Sequence, residues 1–203
     1  IAYLNVPPFI ATLAMMEIVY GIGLIVTNAT PLGGYVEQYT NVSNGKFLGI
    51  NYLIWIAIIV AAITWFIFNM TRHGKYMYAI GGNPQAAEVA GVPVKATLIL
   101  IYMKAAAMYG LAGFMLGAKA GGASVQTGYG YEMEAIAACT IGGVSVTGGR
   151  GKVSSAIIGV AVFELLKVAL QYLGMNANAQ YIAIGVVIFI AISLDIRKYI
   201  ARK

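Results

Sequence analysis

Four charged residues interrupt long apolar stretches of the sequence, where charge is costly unless it is paired or faces water. They are Glu17, Lys104, Glu164 and Lys167. Glu164 and Lys167 are three residues apart and can meet on one helical face. Glu17 and Lys104 each lie roughly 12 to 14 Å from one end of their stretches, at 1.5 Å per residue, so we predict that they pair between helices. The alternative is that one or more of the four line a substrate pathway.

A second candidate site is the polar segment Gly81 to Pro93. Asn83 is a good N-cap, Pro84 suits the first helical position, and Gly91 can adopt the left-handed conformation that ends a helix. We therefore predict a two-turn helix, which needs something to pack against because it is marginal alone. Its small residues would offer a low-profile surface to a cleft in another protein: Ala86, Ala87 and Ala90. The alternative is a loop helix that lies on lipid headgroups.

Two glutamates, Glu132 and Glu134, precede a short apolar run. Carboxylates are favourable at a helix N-terminus, which explains both, although an outward-facing acidic pair could also contact an external partner. The segment Thr127 to Tyr131 superficially matches a potassium-channel filter, but a filter needs a preceding pore helix and four copies around an axis. We therefore disfavour a channel.

The glycine-rich run Gly142 to Lys152 suggests a phosphate loop, but the spacing is wrong and Val153 follows the lysine where Ser or Thr is required. Close helix packing and a tight turn explain these glycines better. His73 is the only histidine and Cys139 the only cysteine, so no catalytic constellation and no metal cluster can be assembled. We expect no cofactor in this chain.

The elements that must position these residues are membrane spans. The 203 residues are 60% hydrophobic and only 10% charged, which is far from a soluble composition. A net charge of +6 does not indicate nucleic acid, because the basic residues lie between apolar runs. Five stretches are predicted to cross the bilayer: 8–27, 50–69, 96–118, 153–173 and 181–194. A shorter apolar stretch, 134–147, is interpreted as a short or broken helix covered by its neighbours.

The predicted fold is therefore an all-α membrane protein, a polytopic transmembrane helix bundle with about six spans in one domain, residues 1–203. Lys and Arg accumulate on the cytoplasmic side of such bundles. One orientation puts nine basic residues inside: Arg72, Lys75, Lys95, Arg150, Lys152, Arg197, Lys198, Arg202 and Lys203. It leaves only Lys46 and Lys119 outside and makes the C-terminus cytoplasmic. The outer segment 28–47 is then interpreted as a plain linker.

Four segments carry a resemblance to a known family: Gly81 to Pro93, Gly130 to Ala138, Gly142 to Gly149, and Tyr3 to Ile10. In their order along the chain they resemble the permease subunits of bacterial ribose-type ABC sugar importers, over essentially the whole chain. Within the family the chain is most similar to permeases for galactose and methyl galactosides, at 18–21 and 195–199.

The resemblance implies a sugar-transport subunit in the bacterial inner membrane, not an enzyme, with ATP and Mg²⁺ on a separate cytoplasmic ATPase. It also implies a periplasmic sugar-binding protein and a second permease subunit, expected to form a homodimer. Segment 81–93 would be the coupling loop, and these residues would contact the ATPase: Asn83, Pro84, Ala86, Ala87, Glu88, Ala90 and Gly91. Family members have about ten spans, so we expect a C-terminal portion.

Two alternatives stay open from the residues. A ribose or other monosaccharide permease would keep the family and change the substrate. A proton-coupled secondary transporter would use intramembrane carboxylates such as Glu17 and Glu164. The four intramembrane charges also depart from the apolar or neutral residues that the resemblance leads us to expect.

Overall fold

The computed structural model describes residues 1–200, and the side chains of these residues apart from 177, 194 and 198–200. Of the basic tail used to predict orientation, Arg202, Lys203 and the side chain of Lys198 lie outside the described residues. The described part is mainly helical, with nine helices and four two-residue strands. In chain order they are α1 (Pro8–Thr27), β1 (Leu32–Gly33), α2 (Glu37–Asn44), β2 (Lys46–Phe47), β3 (Ile50–Asn51), α3 (Tyr52–Met70), α4 (Arg72–Gly82), α5 (Pro84–Val89), α6 (Val94–Ala120), β4 (Gly122–Ala123), α7 (Tyr131–Ile141), α8 (Val153–Tyr172) and α9 (Ala177–Ile200).

Five of the described helices are long and apolar enough to cross a membrane, namely α1, α3, α6, α8 and α9. This confirms the predicted polytopic helical bundle, with small changes at the ends of spans. The second span begins at Tyr52 rather than Ile50, because residues 50 and 51 pair with 46 and 47 in an antiparallel hairpin. The predicted short helix is α7, which has 11 residues.

The chain forms two compact units. The first contains Ile1–Ile63 and Pro93–Tyr129, and the second contains Thr64–Val92 and Gly130–Lys203. In the first unit, segment 28–47 is more ordered than the plain linker that we predicted. Its helix α2 packs on α6, where Tyr39 donates a hydrogen bond to the Phe114 carbonyl (2.7 Å) and Ser43 donates one to the Ala118 carbonyl (2.9 Å). Strand β1 also pairs with β4. Aromatic and hydroxyl side chains thus tie this polar segment to the end of a span.

The second unit has its apolar core where α7, α8 and α9 meet. Ala137 and Ala138 of α7 pack with Phe163 of α8 and Ile184 of α9, and all four are at most 7% exposed. Two alanines on α7 let the neighbouring helices approach closely, which is how membrane helices gain packing energy. Its neighbours therefore cover one face of the short helix, at Ala137 and Ala138, while Tyr131, Met133 and Ile136 are exposed.

Helix α4 was not predicted from the sequence, where Arg72 and Lys75 were treated only as basic residues between two spans. Thr71 caps it, since its side-chain oxygen accepts a hydrogen bond from the Gly74 amide at 3.1 Å. The helix ends at Gly82, and α5 begins one residue after Asn83. Consequently α4 and α5 form a contacting helix pair within the second unit.

Candidate functional site

The predicted two-turn helix is present as α5, and both of its ends are closed as the sequence indicates. The side-chain oxygen of Asn83 accepts a hydrogen bond from the Ala86 amide at 3.0 Å. At the other end Gly91 has φ +82°, and its amide donates to the Glu88 carbonyl while the Val92 amide donates to the Ala87 carbonyl, both at 3.0 Å. These two bonds form a Schellman motif. The ends of α5 are therefore fixed by its own residues.

The faces of α5 differ from the prediction at one alanine. Ala87 is only 4% exposed, because it lies on the side of α5 that faces its own chain, so it cannot belong to a surface offered to another protein. Ala86, Glu88 and Ala90 are exposed, as a docking surface requires. The sequence analysis overlooked Val89, which is 90% exposed and is the large apolar side chain that this helix presents at its surface. An isolated exposed valine beside alanines is a weak signal in a sequence.

The glycine-rich run packs against the C-terminal end of α4. A methyl group on Gly81 would overlap the backbone nitrogen of Gly149, so the two backbones are in direct contact. The Tyr78 hydroxyl donates a hydrogen bond to the Gly151 carbonyl at 2.8 Å. These contacts confirm close packing as the reason for the glycines. We call residues 142–152 the glycine loop.

The glycine loop also contacts α9. The Asp195 carboxylate accepts hydrogen bonds from the Ser145 hydroxyl at 3.0 Å and from the Val146 amide at 3.1 Å. The loop follows α7 directly and precedes α8. It therefore connects the α4–α5 pair with three other helices of its unit. Its glycine density was visible in the sequence, but its contacts were not.

A cluster of charges joins α7 to α8. The Lys167 ammonium lies 2.8 Å from a Glu134 carboxylate oxygen and 3.7 Å from one of Glu164, and it lies 5.9 Å from the centre of the Tyr131 ring. Glu164 and Lys167 thus do meet on one helical face. The suggestion that Glu134 faces outward to contact a partner is wrong. Its side chain is only 20% exposed and binds Lys167. Glu132, in contrast, is exposed.

The predicted pair of Glu17 with Lys104 is not formed. Among the described residues neither side chain has an ion-pair partner, and Glu17 is exposed while Lys104 is half-buried. The physical reason is that α1 has no buried residue, so matched depth along two spans does not by itself bring two side chains together. Within the described part of the chain, no group of three or more His, Cys, Asp or Glu side chains could hold a metal ion.

Comparison with known proteins finds a matching family and several relatives. Residues 1–192 match the family model described as branched-chain amino acid transport system / permease component. The chain is 41% identical to the galactose/methyl galactoside import permease protein MglC of Haemophilus influenzae and 41% identical to that of Escherichia coli K12, in both cases over the whole chain and 62% of the relative. It is 37% identical to the ribose import permease protein RbsC of Bacillus subtilis, over 94% of the chain and 60% of that protein. The chain thus spans about 62% of the length of the MglC proteins. No solved structure gives a significant match.

Proposed function

Since the chain belongs to the family of branched-chain amino acid transport system permease components, we propose that it forms the translocation path of an ATP-driven sugar importer. We propose galactose and methyl galactosides as substrates, because the relatives that match the whole chain at 41% identity bear those names. Ribose is the second candidate, supported by the match to the ribose permease. The observation that carries the coupling mechanism is α5, a short capped helix with an exposed Val89 at its tip.

In this proposal the chain lies in the bacterial inner membrane with its C-terminus, the glycine loop and α5 on the cytoplasmic side. Its partners are a cytoplasmic ATPase that binds ATP and Mg²⁺, a periplasmic sugar-binding protein and a second permease subunit. The fixed ends of α5 suit a helix that has to transmit force, because a frayed helix would absorb the motion of its partner. Burial of Ala87 against the chain's own residues would carry that motion inward.

The mechanism that we propose is alternating access. Two conformations of the spans are stabilised differently by the state of the ATPase and by the loaded binding protein, and each ligand shifts the balance only by its difference in affinity for the two. ATP hydrolysis in the partner supplies the free energy. This chain supplies the path and the contact at α5, and the glycine loop links that contact to α7, α8 and α9.

The test is uptake of labelled galactose, methyl galactoside and ribose by vesicles that contain the full-length permease, its ATPase and its binding protein. ATP and the proton gradient are varied separately. We expect galactoside uptake that requires ATP and persists when the proton gradient is collapsed. ATP-dependent uptake of ribose alone would change the substrate, and uptake driven only by the proton gradient would refute the proposal.

Replacement of Val89 by aspartate should detach the ATPase from α5. Burial of a valine side chain contributes about 1.5–3 kcal/mol, and 1.4 kcal/mol corresponds to a tenfold change in affinity. We expect the ATPase to co-purify poorly with the V89D permease in mild detergent, and ATP-driven uptake to fall in proportion. The control is Val36→Asp, the same change at a 66% exposed valine outside the spans. If V89D retains the ATPase as well as V36D does, Val89 does not dock.

A further inference from the structure

The charge cluster of α7 and α8 has one carboxylate more than its lysine can neutralise. Lys167 binds Glu134 at hydrogen-bond distance, whereas its 3.7 Å separation from Glu164 is too long for a hydrogen bond. Among the described residues Glu164 forms no hydrogen bond, and its side chain is 58% exposed. Two carboxylates and one ammonium leave a net negative charge that no other ion pair among the described residues compensates.

Glu164, which carries the excess negative charge, lies deep within the predicted span α8. Glu164 lies eight residues before Tyr172, the last residue of α8, which corresponds to about 12 Å along the helix. An ionised carboxylate at that depth in hydrocarbon costs several kcal/mol, so such residues face a water-filled cavity or a partner. The exposed side of Glu164 is therefore expected to face water or another protein rather than lipid.

The other groups of the cluster have the chemistry of a carbohydrate contact. The Tyr131 side chain is largely exposed, and its hydroxyl forms no hydrogen bond among the described residues. A pyranose ring offers apolar C–H faces to an aromatic ring and hydroxyl groups to carboxylates and ammonium groups, which give the stronger, charge-assisted hydrogen bonds. Small-molecule sites commonly combine an apolar wall with a few placed polar groups.

We propose that Tyr131, Glu134, Glu164 and Lys167 form a monosaccharide contact on the import path. This inference rests on the proposed function as a sugar importer. Glu164 accepts hydrogen bonds from sugar hydroxyls, and the Tyr131 ring packs against a sugar face. The Glu134–Lys167 ion pair holds α7 against α8. It thereby fixes the distance between Tyr131 on α7 and Glu164 on α8.

The experiment uses cysteine labelling in the full-length permease with its ATPase, in a background without other cysteines. Val168→Cys places the reporter one turn from Glu164 on the same face, at a position that is 42% exposed. The control is Val162→Cys, at a 46% exposed valine about 9 Å further from the Tyr172 end of α8; it lies on the face opposite Glu164, since two residues correspond to about 200° of rotation. The probe is a charged, membrane-impermeant thiol reagent. Galactose is added without binding protein, and betaine at equal osmolarity serves as the solute control.

We expect V168C to react much faster than V162C, and galactose to slow its labelling by about tenfold at roughly ten times its dissociation constant, while betaine has no effect. Adding Glu164→Gln to V168C should abolish protection but leave labelling and the Glu134–Lys167 pair intact. Equal labelling of V168C and V162C would refute the aqueous path. Labelling of V168C that galactose does not slow, or protection that survives E164Q, would refute the sugar contact. Uptake by the unmodified assembly is measured in parallel, so loss of the proposed function is distinguished from loss of this contact alone.

Discussion

Replacement of Gly81 by alanine is expected to reduce ATP-driven uptake about tenfold, while the permease still inserts and binds its ATPase. The added methyl group meets the backbone of Gly149, which cannot move aside as a flexible side chain can. The glycine loop or α4 must therefore shift, and overpacking of this kind typically costs about 1–3 kcal/mol. A cost of 1.4 kcal/mol already changes an equilibrium constant tenfold. Because α5 is unchanged, we expect the ATPase to bind normally. The motion of α5 should, however, no longer reach the glycine loop correctly, so uptake falls. The measurement is uptake per ATP hydrolysed in vesicles.

The control is one residue away. Gly82→Ala introduces the same methyl group at a helical position where nothing lies within 4 Å, and alanine is the better helix former. G82A should therefore transport at least as well as the unchanged protein. Equal uptake by G81A and G82A would show that the contact with the glycine loop has no part in coupling.

Features that depend on neighbouring residues were predictable from the sequence. Spans were recognisable because a lipid environment requires about 20 apolar residues in a row, a condition that composition alone reveals. The ends of α5 were recognisable because Asn83 and Gly91 close it through hydrogen bonds within a few residues. In both cases the physical cause lies within the segment itself.

Features that depend on distant contacts were not predictable. Glu134 and Lys167 are 33 residues apart, and nothing in either segment indicates that α7 and α8 meet at that level. The same limit explains the incorrect pair of Glu17 with Lys104, which relied on depth without knowledge of which helices pack together. The burial of Ala87 depends likewise on the position of its own chain.

The interface between α7 and α8 contains two glycines that leave no room for a side chain. A methyl group on Gly159 would overlap the Ala138 carbonyl oxygen and the backbone of Gly142, and one on Gly142 would overlap the Ser155 carbonyl. The helices are thus in backbone contact at the end nearest the glycine loop. The Glu134–Lys167 ion pair lies further along the same interface. The close approach of α7 and α8 at Gly142 and Gly159 is therefore needed for the Glu134–Lys167 ion pair to form further along the interface.

Replacement of Gly159 by valine is accordingly expected to separate α7 from α8 and to have the largest effect on stability. Overpacking against backbone atoms should cost about 3 kcal/mol, which lowers the midpoint of thermal unfolding in detergent by about 6 to 12 °C. Gly185→Val is the control, because a Cβ atom there meets nothing within 4 Å. G159V should also lose galactose protection of a cysteine at Val168, since the spacing of Glu134 and Lys167 would change. If G159V unfolds at the same temperature as G185V, the backbone contact between α7 and α8 does not hold this unit together.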